Sequence, residues 1–358
     1  MKIASIIGAR PQFIKIAPLQ DEISKRHEHL LIHTGQHYDY EMSKVFFEEL
    51  SIPDPDYNLG IGSGSHANQT GRMLMAIEEV LLKEKPDLVI VYGDTNSTLA
   101  GALAAAKLLI PIAHVEAGLR SFNMKMPEEV NRVITDHISS IFLCPSDTAA
   151  QNLAREGIVN RVHVVGDTMI QCLMDVEQKL SKSFLQNFGV TENNYILATI
   201  HRQENADVKE RLEVIIKALA KCGIEVLLPL HPRTARSIRL WGLEDLIISS
   251  GNVKILPPLN FIAFTSLEKY ARTIVTDSGG VQKEAYYFGV PCVTMREETE
   301  WVETVKDGWN VLVGANEEKI LRAIRNARPR SSRTTQYGDR NVAQRIVESI
   351  EKDFEGLR

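Results

Sequence analysis

Short apolar runs recur along the first half of the chain, each separated from the next by a stretch of at least helical length: Ile3 to Ile7, Leu30 to His33, Leu88 to Tyr92, Ile112 to Val115, Ile141 to Cys144 and Val162 to Val165. Between them, segments such as Gly71 to Lys85 and Thr98 to Leu109 read as helices, the second rich in Ala and Leu. Strands alternating with helices predict βαβ units on a parallel sheet. From Thr168 to about Thr191 a helix runs out into a polar stretch with Asn and Ser, which reads as a linker. The alternation then restarts, with Tyr195 to Ile200, Glu225 to Leu230, Val253 to Ile255, Thr273 to Thr276, Cys292 to Met295 and Asn310 to Val313 forming a second sheet. The expected organisation is a Rossmann-like domain over residues 1–170, a linker helix and hinge over 171–191, a second Rossmann-like domain over 192–340 and a terminal helix over 341–358. Both domains are α/β with a doubly wound parallel sheet. The last helix, about Asn341 to Phe354, fits either of them.

A length of 358 residues with 44% apolar positions suits two ordinary cores. The net charge of −5 supplies no basic field, which argues against nucleic acid as a partner. Any anionic ligand is therefore held locally. Cys144, Cys172, Cys222 and Cys292 lie far apart with no CxxC or Cys/His spacing, so neither a metal site nor a disulfide framework is expected. Reduced thiols fit a cytoplasmic protein. The apolar run from Met1 to Gly8 breaks too soon for a signal peptide, and no stretch has the length of a membrane span.

Two of the strands run straight into a carboxylate, Leu88 to Asp94 and Ile112 to Glu116, and a third acid, Glu128, follows at a helix start. Ligands of an open parallel sheet sit outside the carboxyl ends of its strands, so acids at adjacent strand ends converge on one crevice. Paired carboxylates there suit proton transfer, because each moves the other's pKa. The plainer alternative is that they cap helices, above all Asp94 before Thr95-Asn96-Ser97. Glu128 and Arg132 form an i,i+4 pair in the same helix. Arg10 and Lys15, after the first strand, would face the crevice of Asp94, offering a planar fork and a point charge to a sugar diphosphate. His201-Arg202 ends the first strand of the second domain, a placement that favours a phosphate contact or proton carrier over the plainer alternative of a structural histidine. Asp277-Ser278-Gly279-Gly280 joins a strand to a helix carrying Lys283 and Glu284. Glycines there let backbone N–H groups reach a diphosphate at the helix start, and Glu284 could accept from a ribose diol. The alternatives are a tight turn and a solvated glutamate.

Taken in order, Gly-Ala-Arg-Pro-Gln-Phe-Ile-Lys15, Thr34-Gly-Gln-His37, Gly93-Asp-Thr95, His114-Val-Glu-Ala-Gly-Leu-Arg120, Pro127-Glu-Glu-Val-Asn-Arg132, His201-Arg202 and Asp277-Ser-Gly-Gly-Val-Gln-Lys-Glu-Ala285 resemble the non-hydrolysing UDP-N-acetylglucosamine 2-epimerases over nearly the whole chain. The resemblance implies two domains of the glycosyltransferase-B kind with a UDP-sugar in the cleft between them, usually in a homodimer. It implies Asp94, Glu116 and Glu128 as catalytic acids, with His201 beside them as a catalytic residue on the diphosphate side. Arg10 and Lys15 become diphosphate contacts, Arg132 a substrate-side cation, Ser278, Gly279 and Gly280 the cradle, Glu284 the ribose ligand and Phe264 the neighbour of the uracil. The family's usual Thr-Glu-Arg-Pro-Glu reads Thr299-Glu-Trp301-Val-Glu303 here, so Trp301 replaces an arginine on the UDP side, and Arg296 is the nearby candidate to supply its charge. After Gln36-His37 the chain reads Tyr-Asp-Tyr-Glu-Met in place of Arg-Glu-Met-Leu, which leaves activation by substrate open. These changes look like a branch acting on UDP-2,3-diacetamido-glucuronate, the alternative substrate.

The hydrogen on C2 of a 2-acetamido sugar has no adjacent carbonyl to acidify it. Elimination of UDP with loss of that proton, followed by re-addition, solves the problem without nicotinamide or any other cofactor. A sugar transferase of the same architecture is the first rival, and it does not require three carboxylates. A UDP-sugar sensor is the second, in which loss of acids is expected. A nicotinamide dehydrogenase is disfavoured because no GxGxxG follows a strand.

Overall fold

The computed structural model describes residues 1–36, 40–328 and 337–357, with the backbone alone for 40–43. His37 and the departures at Tyr38 and Asp39 lie outside the described residues.

The chain forms two compact units, residues 1–177 with 335–358, and residues 178–334. The first holds seven strands: β1 Lys2–Ile7, β2 Glu28–His33, β3 Tyr57–Asn58, β4 Leu88–Tyr92, β5 Ile112–Val115, β6 Ile141–Cys144 and β7 Val162–Val164. They pair in the order β3-β2-β1-β4-β5-β6-β7, all parallel. The second unit holds β8 Tyr195–Thr199, β9 Glu225–Pro229, β10 Val253–Leu256, β11 Thr273–Thr276, β12 Cys292–Thr294 and β13 Asn310–Leu312. Their order is β10-β9-β8-β11-β12-β13, again all parallel. The fold class expected from the alternation, two doubly wound parallel sheets, is the one found. The strand missed by the apolar pattern is β3, an edge strand of two residues and too short to carry a period.

Both sheets are covered on both faces, which is why their strands read as unbroken apolar runs. In β8, Ile196 and Ala198 enter one core with Leu212, Ile216 and Ile320, whereas Tyr195 and Leu197 enter another with Leu267, Ile274 and Ala285. The strand order reverses between β1 and β4 in the first unit and between β8 and β11 in the second. A doubly wound sheet opens its crevice at that reversal, outside the carboxyl ends of the flanking strands. Gly8 and Asp94 follow β1 and β4; His201 and Asp277 follow β8 and β11. The terminal helix, Val342–Phe354, belongs to the first unit and packs on the helices Arg10–Ser24 and Thr168–Val176. Its buried residues Val342, Ala343, Ile346, Val347, Ile350 and Phe354 form one stripe. Arg345 Nε donates to the Val165 carbonyl at 2.9 Å, and Gln171 Oε1 accepts from the Ala343 N–H at 2.8 Å. Among the described residues, no helix is long and apolar enough to cross a membrane.

Candidate active site

In the first unit, β4 is followed by Gly93 and Asp94. Asp94 does not cap the next helix: Thr95 is the N-cap of Asn96–Lys107, its hydroxyl accepting from the Thr98 N–H at 3.4 Å. A threonine one residue on does the capping, and the Asp94 carboxylate turns to the helix Pro127–Ile138. Arg132 donates to Asp94 Oδ2 from Nη2 at 2.6 Å and from Nε at 3.0 Å, while Asn131 Nδ2 donates to the Asp94 carbonyl at 2.8 Å. The other oxygen, Oδ1, takes no part in that pair, and the side chain is 25% exposed. Within its own helix Arg132, expected to face Glu128 at i,i+4, is given Glu129 at i,i+3 and 2.7 Å. Burial works against the charge on Glu129, but the Ser121 N–H, the Arg132 guanidinium and the Phe122 N–H together hold its carboxyl below the usual range. Glu128 is half-buried in the first turn of the helix that grips Asp94.

Glu116 follows β5 with φ +74°, a left-handed conformation that costs a β-carbon-bearing residue about 1–3 kcal/mol. The turn brings its carboxylate to 2.5 Å from Lys15 Nζ, with both groups buried. Gly93 makes the approach possible: a β-carbon there would stand 2.7 Å from Lys15 Nζ and 3.0 Å from Glu116 Oε2, and its φ of +63° favours glycine independently. Lys15, Glu116, Gly93 and the Asp94–Arg132 pair thus meet at the ends of β4 and β5. Arg10 lies with its guanidinium 5.2 Å from the ring centre of Phe46.

Two buried residues lock these strand ends and were not singled out from the sequence. Gln12 Oε1 accepts from the Gly8 and Ala9 N–H groups at 2.8 and 3.0 Å, and its Nε2 donates to the Tyr92 carbonyl at 3.0 Å. His114 bridges the Gly93 carbonyl at 2.8 Å and Asp136 at 2.7 Å. Asp136 also accepts from Arg120 at 2.7 Å. Burial opposes the charge on Asp136, yet the His114 and Arg120 contacts hold its carboxyl below the usual range.

In the second unit, Asp277 follows β11 and is fully buried. It lies 3.0 Å from His201 Nδ1 and accepts from the N–H groups of His201 at 3.1 Å and Arg202 at 3.2 Å. Burial opposes its charge, but these partners and Asn205 keep the carboxyl below its usual range. His201 is thereby oriented by a buried acid, with 41% of its side chain exposed. Asp277 obeys the rule that picked out Asp94 and Glu116, an acid directly after an apolar strand, so that signal was present in the sequence.

Ser278 is the N-cap of the helix Gly279–Phe288, and its hydroxyl makes no capping bond. Gly279 and Gly280 open that helix half-buried. A β-carbon on Gly279 would stand 2.2 Å from Glu300 Oε1, so a larger residue there would displace that side chain. Glu284 is 5% exposed, which rules out a solvated surface glutamate. Phe264 is half-buried on the helix Phe261–Tyr270. Trp301 is buried, with Lys283 Nζ 4.0 Å from its ring centre, and Arg296 is buried with its Nη2 2.9 Å from Glu300. A lysine on the helix Gly279–Phe288 therefore stands against the Trp301 ring.

Comparison with known proteins identifies the family. The family model described as UDP-N-acetylglucosamine 2-epimerase matches residues 21–351. A UDP-N-acetylglucosamine 2-epimerase homolog of Methanococcus maripaludis is 54% identical over 98% of this chain and 99% of its own. A UDP-2,3-diacetamido-2,3-dideoxy-D-glucuronate 2-epimerase of Pseudomonas aeruginosa is 48% identical over 98% of this chain and 100% of its own. The crystal structure of the Methanocaldococcus jannaschii UDP-GlcNAc 2-epimerase in complex with UDP-GlcNAc and UDP superposes with a TM-score of 0.93 at 45% identity, covering 98% of this chain and 100% of that one. With the motifs in order, the strand-end acids in place and these matches along nearly its whole length, the chain belongs to the UDP-N-acetylglucosamine 2-epimerase family.

Proposed function

We propose that the chain interconverts UDP-N-acetylglucosamine and UDP-N-acetylmannosamine by elimination and re-addition of UDP. The observation that carries this reading is the pair of acid–cation contacts at the ends of β4 and β5, Asp94 with Arg132 and Glu116 with Lys15. A carboxylate takes the C2 proton as the C1–O bond to UDP breaks, leaving a C1=C2 double bond in 2-acetamidoglucal and the bonding pair on the diphosphate. A proton delivered to the opposite face of C2, with the C1–O bond re-formed, gives the epimer with no net oxidation. Asp94, Glu116 and Glu128 are the proposed acids and bases, Arg132 acting through Asp94 and Lys15 beside Glu116. On the second unit, Ser278, Gly279 and Gly280 hold the diphosphate at the helix start, Glu284 accepts from the ribose hydroxyls and Phe264 lies by the uracil. His201, oriented by Asp277, meets the departing phosphate, and Arg10 on the first unit is a further proposed diphosphate contact. A homodimer in the cytoplasm completes the reading, supported by the family pattern and the scattered cysteines.

Incubation with UDP-N-acetylglucosamine in D2O tests the chemistry by NMR. The expected product mixture contains the manno epimer with deuterium at C2; epimerisation that kept the original hydrogen would rule out elimination.

A second substrate reading, UDP-2,3-diacetamido-glucuronate, is favoured by Trp301 in the arginine position and by the 48% identical relative of that name. A kcat/KM at least tenfold higher for the uronate, about 1.4 kcal/mol of discrimination, would select it and leave 2-epimerisation intact.

A further inference from the structure

Glu268 lies on the helix Phe261–Tyr270 and is fully buried. Neither of its carboxyl oxygens receives an N–H or O–H donor among the described residues. The polar group it does meet is a second carboxyl, that of Glu284, which lies within hydrogen-bonding reach and is 5% exposed. The two glutamates sit on helices that pack against each other, so their approach is set by the backbone. Among the described residues, the other titratable groups that act on Glu268 are the Cys292 thiol from β12 and the Tyr195 phenol from β8. None of the three is a cation. The Tyr195 hydroxyl is already spent, donating to the Leu267 carbonyl at 2.5 Å.

Two ionised carboxylates do not share a dry site, because desolvation and mutual repulsion both act against the second charge. One proton removes the repulsion and creates a charge-assisted O–H···O bond. The proton belongs on the more deeply buried member. Burial first, and then the Glu284 carboxyl, push Glu268 well above the usual carboxylate range.

We propose that Glu268 is a positioning residue, a neutral carboxylic acid whose O–H donates to Glu284 and fixes that carboxylate in the orientation in which it accepts from the ribose hydroxyls of a uridine diphosphate. The proposal rests on Glu284 facing the ribose, as read above. It gives the nucleotide side of the site an acid with no role at the reacting carbons.

Two substitutions separate donation from mere packing. Glu268→Gln keeps an N–H donor toward Glu284 and cannot ionise, whereas Glu268→Leu keeps much of the volume and removes the donor. In calorimetric titrations of the full chain with UDP near pH 7.5, E268Q is expected within about twofold of the unaltered protein and E268L to bind at least about fivefold more weakly. Equal losses in both variants, or no loss in E268L, would overturn the proposal. Thermal unfolding without ligand reads the proton directly. A carboxyl whose pKa is raised on folding contributes stability that is whole below its unfolded value, about 4.3, and is lost as pH rises toward the folded value. The Tm of the unaltered protein is therefore expected to fall relative to E268Q as pH rises above about 4.3, and a constant difference would remove the proton from Glu268. Parallel titrations with 2′,3′-dideoxy-UDP isolate the ribose reading, since Glu284→Gln is expected to weaken binding of UDP and not of the dideoxy analogue. If E284Q left UDP affinity unchanged, the ribose contact would fall and the proposed positioning role with it, while the Tm series would still decide whether Glu268 carries the proton.

Discussion

Asp94 and Glu116 each follow an apolar strand, and each is met by a cation from a different helix: Arg132 from Pro127–Ile138 and Lys15 from Arg10–Ser24. Replacing a carboxylate by its amide keeps the shape and removes the ionisation. Asp94→Asn, Glu116→Gln and Glu128→Gln are each expected to lower kcat by roughly two orders of magnitude or more while UDP affinity by calorimetry changes little. A fall in affinity as steep as the fall in rate would make these residues ligands and not proton carriers. Asp136 is a buried acid of another kind, holding His114 and Arg120 beneath the turn at Gly93. Its carboxyl is held below the usual range by those contacts, so its contribution is present above the unfolded value near 3.9 and is lost as pH falls through the folded one. Asp136→Asn is expected to cost about 3–5 kcal/mol near neutral pH, because it removes the buried carboxylate that His114 and the Arg120 guanidinium share. Urea unfolding at about pH 7 measures that cost, and the gap between variant and unaltered protein should narrow well below pH 4.

At the level of elements, the helix Gly279–Phe288 carries several of the candidate residues: its amino end forms the glycine turn, Glu284 lies within it, and Lys283 packs on Trp301. The lysine supplies a physical reason for an aromatic residue at the position where the resemblance implies an arginine. A desolvated cation over an indole face is worth about 2 kcal/mol, whereas two cations at 4 Å repel by about 4 kcal/mol at an effective dielectric of 20. Trp301→Arg alone is therefore expected to destabilise the second unit, and adding Lys283→Gln should restore at least about 1 kcal/mol of the loss. Chemical unfolding of the two single variants and the double variant completes the cycle; an additive double variant would mean that Lys283 and Trp301 are not coupled. The same Trp301→Arg change should alter the ratio of kcat/KM between the simple and the diacetamido-uronate UDP-sugars.

At the scale of the molecule, each unit carries its candidate residues where its strand order reverses, so the same placement arises twice from two independent sheets. The chain returns to its first unit through Val342–Phe354, which makes that unit discontinuous in sequence. The proposed homodimer belongs to this scale as well. Sedimentation equilibrium is expected to give about twice the 40.1 kDa chain mass at micromolar concentration, and a single-chain mass there would set the dimer aside.

By itself the sequence determined the fold class, because a parallel sheet covered on both faces leaves unbroken apolar strands that local pattern alone reveals. It likewise marked Asp94, Glu116, His201 and the Ser278-Gly279-Gly280 turn as candidates, since placement at a strand end or a helix start is a local arrangement. The tertiary structure alone decided the partners. That Thr95 and not Asp94 caps its helix, that Arg132 spans Asp94 and Glu129, and that Lys15 reaches Glu116 past Gly93 all depend on contacts between distant segments. No periodicity encodes such contacts. The same holds for Glu268, which reads in sequence as an ordinary helix glutamate, and for the terminal helix, whose apolar stripe fits either unit by pattern and finds its place only where Arg10–Ser24 and Thr168–Val176 leave a face to cover. Burial and pairing are properties of where separate segments come to rest, and that is the part of this protein its linear pattern does not contain.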